Sequence, residues 1–155
     1  MRDAQHFRTP MLYGEFGIAA TTKGYREYLA DFLDLLDKYH MNWTYYSYDK
    51  TSAESFGVLD DAGGEKENLN VLVRVYPQRI AGDEPVFQRK DRQFDLTYAA
   101  NGSTAPTVVF VPPRLSAVKA TFNDHAIPFD TRTHLVSVKN EGGNGTQQKL
   151  HVEWQ

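Results

Sequence analysis

The sequence predicts an α+β composite: a strand–helix–strand unit followed by an antiparallel β-sandwich. Two observations carry this. One long amphipathic helical segment stands alone in the first third of the chain, between two short apolar runs. Beyond residue 60 the pattern changes to short, mostly alternating strands separated by turn-rich pieces.

The first apolar run is "MLY", residues 11–13, bounded by Pro10 and Gly14. It reads as the end of a short buried strand, with Glu15 placed where the strand stops. "YREYLADFLDLLDKYH" follows, with apolar residues at 25, 28, 29, 32, 33, 36 and 39. That spacing predicts a helix buried along one stripe. Thr21 or Thr22 is placed to cap its start, and Lys38 and His40 suit its C-terminal dipole. "MNWTYYSYD" is rich in aromatic and Thr residues and predicts the second strand. Together these make one parallel crossover unit. Such a unit cannot cover both faces of its own sheet, so residues 1–60 read as the end of a larger α/β domain.

The second segment, 68–155, contains "LNVLVRVY", "RQFDLTYA", "TVVFVP", "SAVKATFN", "HLVSVK" and "KLHVEW". "NGSTAP", "VPPR" and "NEGGNG" supply turns between them. Pro112 and Pro113 end a strand or mark an edge. "GGNG", residues 142–145, reads as a hairpin connection, and His125 follows Asn-Asp in a turn.

Composition excludes several classes. The 155 residues hold 17 Lys+Arg against 20 Asp+Glu, for a formal charge of -3 with no basic block, so nucleic acid is not an expected partner. There is no cysteine, which removes disulfides and thiolate metal sites. No apolar stretch approaches the roughly 18 residues that span a bilayer, and "MRDAQHFRTP" is too polar for a signal peptide. The chain reads as soluble. Its compartment stays open, and secretion within a longer precursor is compatible with it. His6, His40, His125, His134 and His151 fall at no metal-ligand spacing, so no metal and no cofactor is expected. Ser47 and Ser52 have no base at a recognised spacing for a serine nucleophile.

Four pieces in order resemble a known family. "PMLYGEFG", then a helix, then "NWTYYSYD", is similar to the last two strands of the (β/α)8 barrel in retaining glycoside hydrolases of family 5. "SFGVLDDAGGE", "LVRVYPQRIAG" and "FDLTYAANGSTAPTVVFVPP" resemble the junction and C-terminal sandwich of endoglycoceramidase-type members. The resemblance covers residues 9–155 and thins after Arg114. It implies residues 1–60 as the end of a TIM barrel and 68–155 as a β-sandwich domain.

By that resemblance Glu15 matches the nucleophile at the C-terminal end of the seventh barrel strand; without it, Glu15 is a solvated carboxylate in a turn. A retaining enzyme needs an ionised carboxylate there to attack the anomeric carbon. Gly14 and Gly17 would leave room for a sugar ring. Tyr46 stands where the family usually carries a Trp under the sugar, and Trp43 lies three residues earlier. Tyr45, Tyr46 and Tyr48 as plain packing is the alternative. Phe56 and Val75 also depart from the family's commoner Trp and Pro.

The family's general acid belongs on the fourth strand, upstream of Glu15, ~5 Å from the nucleophile in the folded site. Glu27, Glu54, Glu65 and Glu67 match no such motif and read as solvated surface groups. The expected partner is a glycoside or glycolipid substrate, and the strands near Met11 and Trp43 are expected to be covered by self-association or by a complementary N-terminal barrel chain. Two other readings stand beside this one: a non-catalytic β-sandwich module binding carbohydrate or lipid, and a truncated, inactive product.

Overall fold

The computed structural model describes His6 and residues 9–155. Most of the polar start, residues 1–5, 7 and 8, lies outside the described residues, and so does that part of the first predicted segment. The chain divides into two compact units, Met1–Val73 and Arg74–Gln155.

The first unit contains β1 (Leu12–Phe16), α1 (Tyr25–Lys38), β2 (Asn42–Tyr45) and a short helix α2 (Leu69–Leu72). β1 and β2 pair in parallel, with Leu12 opposite Asn42, Tyr13 opposite Trp43 and Phe16 opposite Tyr45. The register slips between Tyr13 and Phe16. β1 therefore continues through Glu15, where the sequence predicted it to stop. Nor is its start buried: Leu12 and Tyr13 are exposed, and Phe16 is the strand's one buried residue. A short apolar run states that residues cluster, not which of them faces inward.

Helix α1 buries Tyr25, Leu29, Leu33 and Leu36. They pack with Phe16, Val58 and Leu72 into one core, with Phe32, Trp43 and Tyr45 partly buried against it. Tyr28 and Tyr39, assigned to the same stripe by spacing, are exposed instead. The N-cap is Gly24 in the left-handed region, φ 80°, with no side-chain cap. The predicted threonine caps are therefore replaced: Thr22 contributes only its carbonyl, accepting from Tyr25 N at 3.1 Å. At the other end the helix stops before His40, whose φ of 50° turns the chain out. Met41 N then donates to Leu36 O at 2.9 Å, satisfying a terminal carbonyl as a glycine-ended helix would.

"LNVLVRVY", expected as one strand, enters a strand only at its last residue, Tyr76. Its first half is α2, whose Leu72 packs into the first core. Asn68 O accepts from Val71 N at 3.0 Å and from Leu72 N at 3.1 Å, closing a helical turn. The second unit follows with Val75, buried in a second core.

That unit holds β3 (Tyr76–Arg79), β4 (Gly82–Lys90), β5 (Gln93–Ala100), β6 (Thr107–Phe110), β7 (Lys119–Phe122), β8 (His125–Ile127), β9 (Leu135–Val138) and β10 (Gln147–Glu153). They form an antiparallel sheet ordered β4-β5-β10-β7-β8 and a second ordered β3-β6-β9. Phe94, Leu96, Tyr98, Phe122, Leu150 and Val152 of the first sheet share one core with Val109, Val136 and Val138 of the second. Inward residues alternate along β5 and β10, as a half-buried strand requires.

Three strands escape the sequence pattern: β4, β8 and, past Tyr76, β3. β4 is largely polar and contains Pro85; it survives as an edge strand with a register shift between Asp83 and Val86 and Glu84 at φ 50°. β8 begins at His125, so that histidine is on a strand rather than in the turn, which is Asn123-Asp124 with φ 48° and 67°. Two such residues serve as the positive-φ pair of a tight hairpin. "GGNG" in turn joins β9 of one sheet to β10 of the other and closes no hairpin.

Glu67 ties α1 to the chain entering α2. Its carboxylate accepts from the Tyr25 hydroxyl at 2.9 Å and pairs with Arg26. The Tyr25 hydrogen bond first, and Arg26 second, hold its pKa below the ordinary carboxylate value. A lowered folded-state pKa means the stabilisation is fully present above the unfolded carboxylate pKa of about 4.3. It is lost as pH falls through the lowered folded value. Thermal melts at pH 7 and on stepwise acidification should show Glu67→Gln destabilising at neutral pH, with the gap to wild type closing in acid.

Candidate functional site at the end of β1

Glu15 is exposed in β1, directly before the buried Phe16. The Phe16 ring meets Phe32 at 4.8 Å, Tyr45 at 5.3 Å and Trp43 at 5.6 Å between centroids. Tyr13 also reaches Phe32, at 5.1 Å. The register slip lets Tyr13 and Phe16 share the helix side, leaving Gly14 and Glu15 between them in the open. Thr44 Oγ1 donates to Gly14 O, and Tyr46 N donates to Phe16 O at 2.8 Å, continuing the ladder past β2.

Tyr46 is exposed and sits across that last ladder bond from Phe16. The peptide between Tyr46 and Ser47 is cis. Glu15 and Tyr46 thus come to the same end of the parallel pair. Trp43 is half-buried and packs edge-on against Phe16. Tyr45 is engaged in packing and hydrogen bonding, and Tyr48 is exposed.

The two glycines differ. A Cβ on Gly14 would meet nothing within 4 Å, so that position is open. A Cβ on Gly17 would meet Tyr46 O at 2.5 Å and the Phe56 side chain at 2.9 Å. The room at Gly17 is filled by the chain itself: the Tyr46 carbonyl and the Phe56 side chain both close on it.

The sequence pattern did not single out the network behind this end. The Tyr45 hydroxyl donates to Ile18 O at 2.9 Å and accepts from Ile18 N at 3.2 Å and from Asn68 Nδ2 at 3.1 Å. Asn68 is fully buried, and its Oδ1 has no donor among the described residues. The only sequence signal was an Asn within a charged loop, which is no signal for a buried amide.

The other carboxylates are dispersed. Glu27, Glu54 and Glu65 are exposed, and Glu67 is exposed but bound to Tyr25 and Arg26. Ser47 Oγ donates to Asp49 Oδ1 at 2.6 Å. His151 Nδ1 lies 2.8 Å from Asp95 Oδ1 on neighbouring strands of the larger sheet. Among the described residues no group of three His, Asp or Glu side chains is arranged to hold a metal, and no helix is long and apolar enough to cross a membrane.

A parallel strand–helix–strand unit followed by a two-sheet antiparallel unit defines the class of fold. Solved structures share it. Endo-glycoceramidase II from Rhodococcus sp. matches with a TM-score of 0.80 and 22% identity, over 97% of this chain and 35% of that one. Its structure as a ganglioside GM3 complex matches at 0.77 and 20%, over 97% and 34%. Sterylglucosidase 1 from Cryptococcus neoformans matches at 0.72 and 12%, over 94% and 29%. The chain thus spans about a third of the length of the first of these, and at these identities the likeness is one of fold. The sequence matches no family model and no curated protein.

The contrast between the glycines is measurable. Gly14→Ala should leave stability within about 0.5 kcal/mol of wild type. Gly17→Ala should cost about 1–3 kcal/mol, because Tyr46 or Phe56 must move. Chemical denaturation of both variants checks this.

Proposed function

We propose that the chain is the C-terminal part of a retaining glycoside hydrolase of family 5 resembling endoglycoceramidases, acting on β-glycosidic bonds of glycolipids or related glycosides. Residues 1–60 are the end of its (β/α)8 barrel, and of the segment 68–155 it is Arg74–Gln155 that forms its sandwich, since Leu72 packs into the first core. The observation that carries the reading is the exposed Glu15 beside exposed Tyr46 at one end of a parallel strand pair. Catalytic groups of such barrels lie at the C-terminal ends of the strands. The fold likeness adds support, since one of the matched structures of the Rhodococcus enzyme, at a TM-score of 0.80, is a lactosyl-enzyme intermediate.

In this reading Glu15 attacks the anomeric carbon and forms the glycosyl-enzyme, which water then hydrolyses. Tyr46 offers an exposed ring and hydroxyl to the sugar. Trp43 contacts it with the part of its indole left open beside Phe16. The general acid/base comes from outside these residues, on a complementary N-terminal portion of the barrel. A sandwich binding module is less favoured: among the described residues Tyr76 is the one large aromatic side chain exposed in the second unit.

The 155-residue chain alone should show no turnover of aryl glycosides or glycolipids. Turnover that disappears with Glu15→Gln would mean that another carboxylate serves as the acid.

With the preceding barrel strands supplied as a fused polypeptide, a 2-fluoro glycoside bearing a good leaving group should label Glu15. Such a reagent needs little acid assistance, so it tests the nucleophile by itself. Glu15→Ala should abolish the label, and azide should restore part of the turnover. Peptide mass spectrometry locates the adduct, and a label on any other residue ends the assignment.

A further inference from the structure

The dipeptide Asn-Gly occurs twice in the chain, at Asn101-Gly102 and at Asn144-Gly145. Its chemistry is distinctive, because glycine leaves its amide nitrogen unshielded beside the asparagine carboxamide. That nitrogen can attack the side-chain Cγ, form a cyclic succinimide and expel ammonia. The fold brings the two copies together, since a Cβ on Gly102 would meet Asn144 Oδ1 at 2.7 Å. Both asparagines are exposed, and Gly102 and Gly145 share the left-handed region, with φ of 75° and 82°. Local sequence and backbone do not separate them. Their hydrogen bonds do.

Gly145 N donates to Ala100 O at 2.7 Å, while Ala100 N donates to Thr146 O at 2.9 Å. This pair of bonds closes the end of the β5–β10 ladder. As a nucleophile, Gly145 N would have to leave the carbonyl of buried Ala100 without that donor, which costs free energy. Gly102 N, by contrast, donates no hydrogen bond among the described residues. The Asn101 carboxamide beside it is held from both sides. Its Oδ1 accepts from Ser103 N at 3.2 Å, and its Nδ2 donates to Asp83 Oδ1 at 3.1 Å. A donor on Oδ1 stabilises the oxyanion that develops there as Cγ is attacked.

We propose that Asn101 is a self-modification site, converted through Gly102 to an aspartyl or isoaspartyl residue, while Asn144 is protected by the end of the β5–β10 ladder. The bond formed joins Gly102 N to Asn101 Cγ, and the bond broken is Cγ–Nδ2. The proton of Gly102 N leaves with the amide nitrogen as ammonia. Water then opens the ring at either carbonyl, giving aspartate or, with the backbone rerouted through the side chain, isoaspartate. Either product replaces an amide that donates to Asp83 by a carboxylate that repels it. Asp83 pairs with Ala99 where β4 shifts register, so the repulsion falls on the start of an edge strand. The conversion is independent of the glycosidase reading.

Ageing of the full chain at mildly alkaline pH, followed by trypsin digestion and mass spectrometry, tests this. Asn101 and Asn144 fall on separate tryptic peptides, residues 93–114 and 140–149. In the folded chain the acid form at Asn101 should accumulate several-fold faster than that at Asn144. In urea, where the ladder bond is gone, the two rates should converge. The aged chain should also melt at a lower temperature than fresh chain, and Asp83→Asn should remove most of that loss. Equal rates in the folded chain, a faster change at Asn144, or a preference that persists unchanged in urea overturns the proposal. An aged chain that melts as fresh chain does, or a loss that Asp83→Asn leaves undiminished, overturns the repulsion by Asp83.

Discussion

The ring of Phe16 is wedged among Tyr13, Phe32, Trp43 and Tyr45, and the orientation of everything at the end of β1 depends on it. Successive residues of a strand point to opposite faces, so an inward Phe16 turns Glu15 outward. A slip of one residue would expose the ring and drive the carboxylate into an apolar core. Desolvating an unpaired carboxylate costs far more than hydrophobic packing returns at one position. The aromatic cluster thus sets the register that leaves Glu15 open.

Around that ring, polar contacts hold the backbone where β1 ends. The Tyr45 hydroxyl bonds both the N–H and the carbonyl of Ile18, so it replaces the ladder partner that the strand no longer has. Asn68 braces the same hydroxyl from the start of α2. Gly17 lets Phe56 and the Tyr46 carbonyl close in. Rigid support of this kind is what a group acting on a bound substrate requires, since small displacements of a reacting atom are costly. An exposed carboxylate on an unsupported loop would lack it.

The second unit solves a different problem. Its two sheets bury a mostly aliphatic core, and its one fully buried amide side chain of a strand, Gln148, is satisfied on all sides. It accepts from Glu141 N and Asn123 Nδ2 and donates to Glu141 O and Thr146 O. This amide joins the end of β10 to the turn before β8 and to the crossing between sheets. A buried polar group with every bond made specifies one arrangement of its neighbours.

The helix, most strands of the second unit and the parallel order of β1 and β2 were determined by the sequence itself. Hydrophobic periodicity and β-branched or aromatic enrichment are local properties, and they survive whatever the rest of the chain does. The tertiary structure alone decided what each apolar residue faces. Tyr28 and Tyr39 share the spacing of Leu29 and Leu36, yet they lie outside because they stand on a flank of the helix that the core of its own unit does not reach. "LNVL" became a helical turn because Asn68 and Leu72 are held in the first core, a contact invisible in a short apolar run. β4 was illegible because edge strands are polar by necessity. At the candidate site, Glu15 and Tyr46 could be named from sequence, but the meaning of Gly17 and the role of Asn68 could not. Those depend on distances between segments far apart in the chain, and only the folded packing sets them.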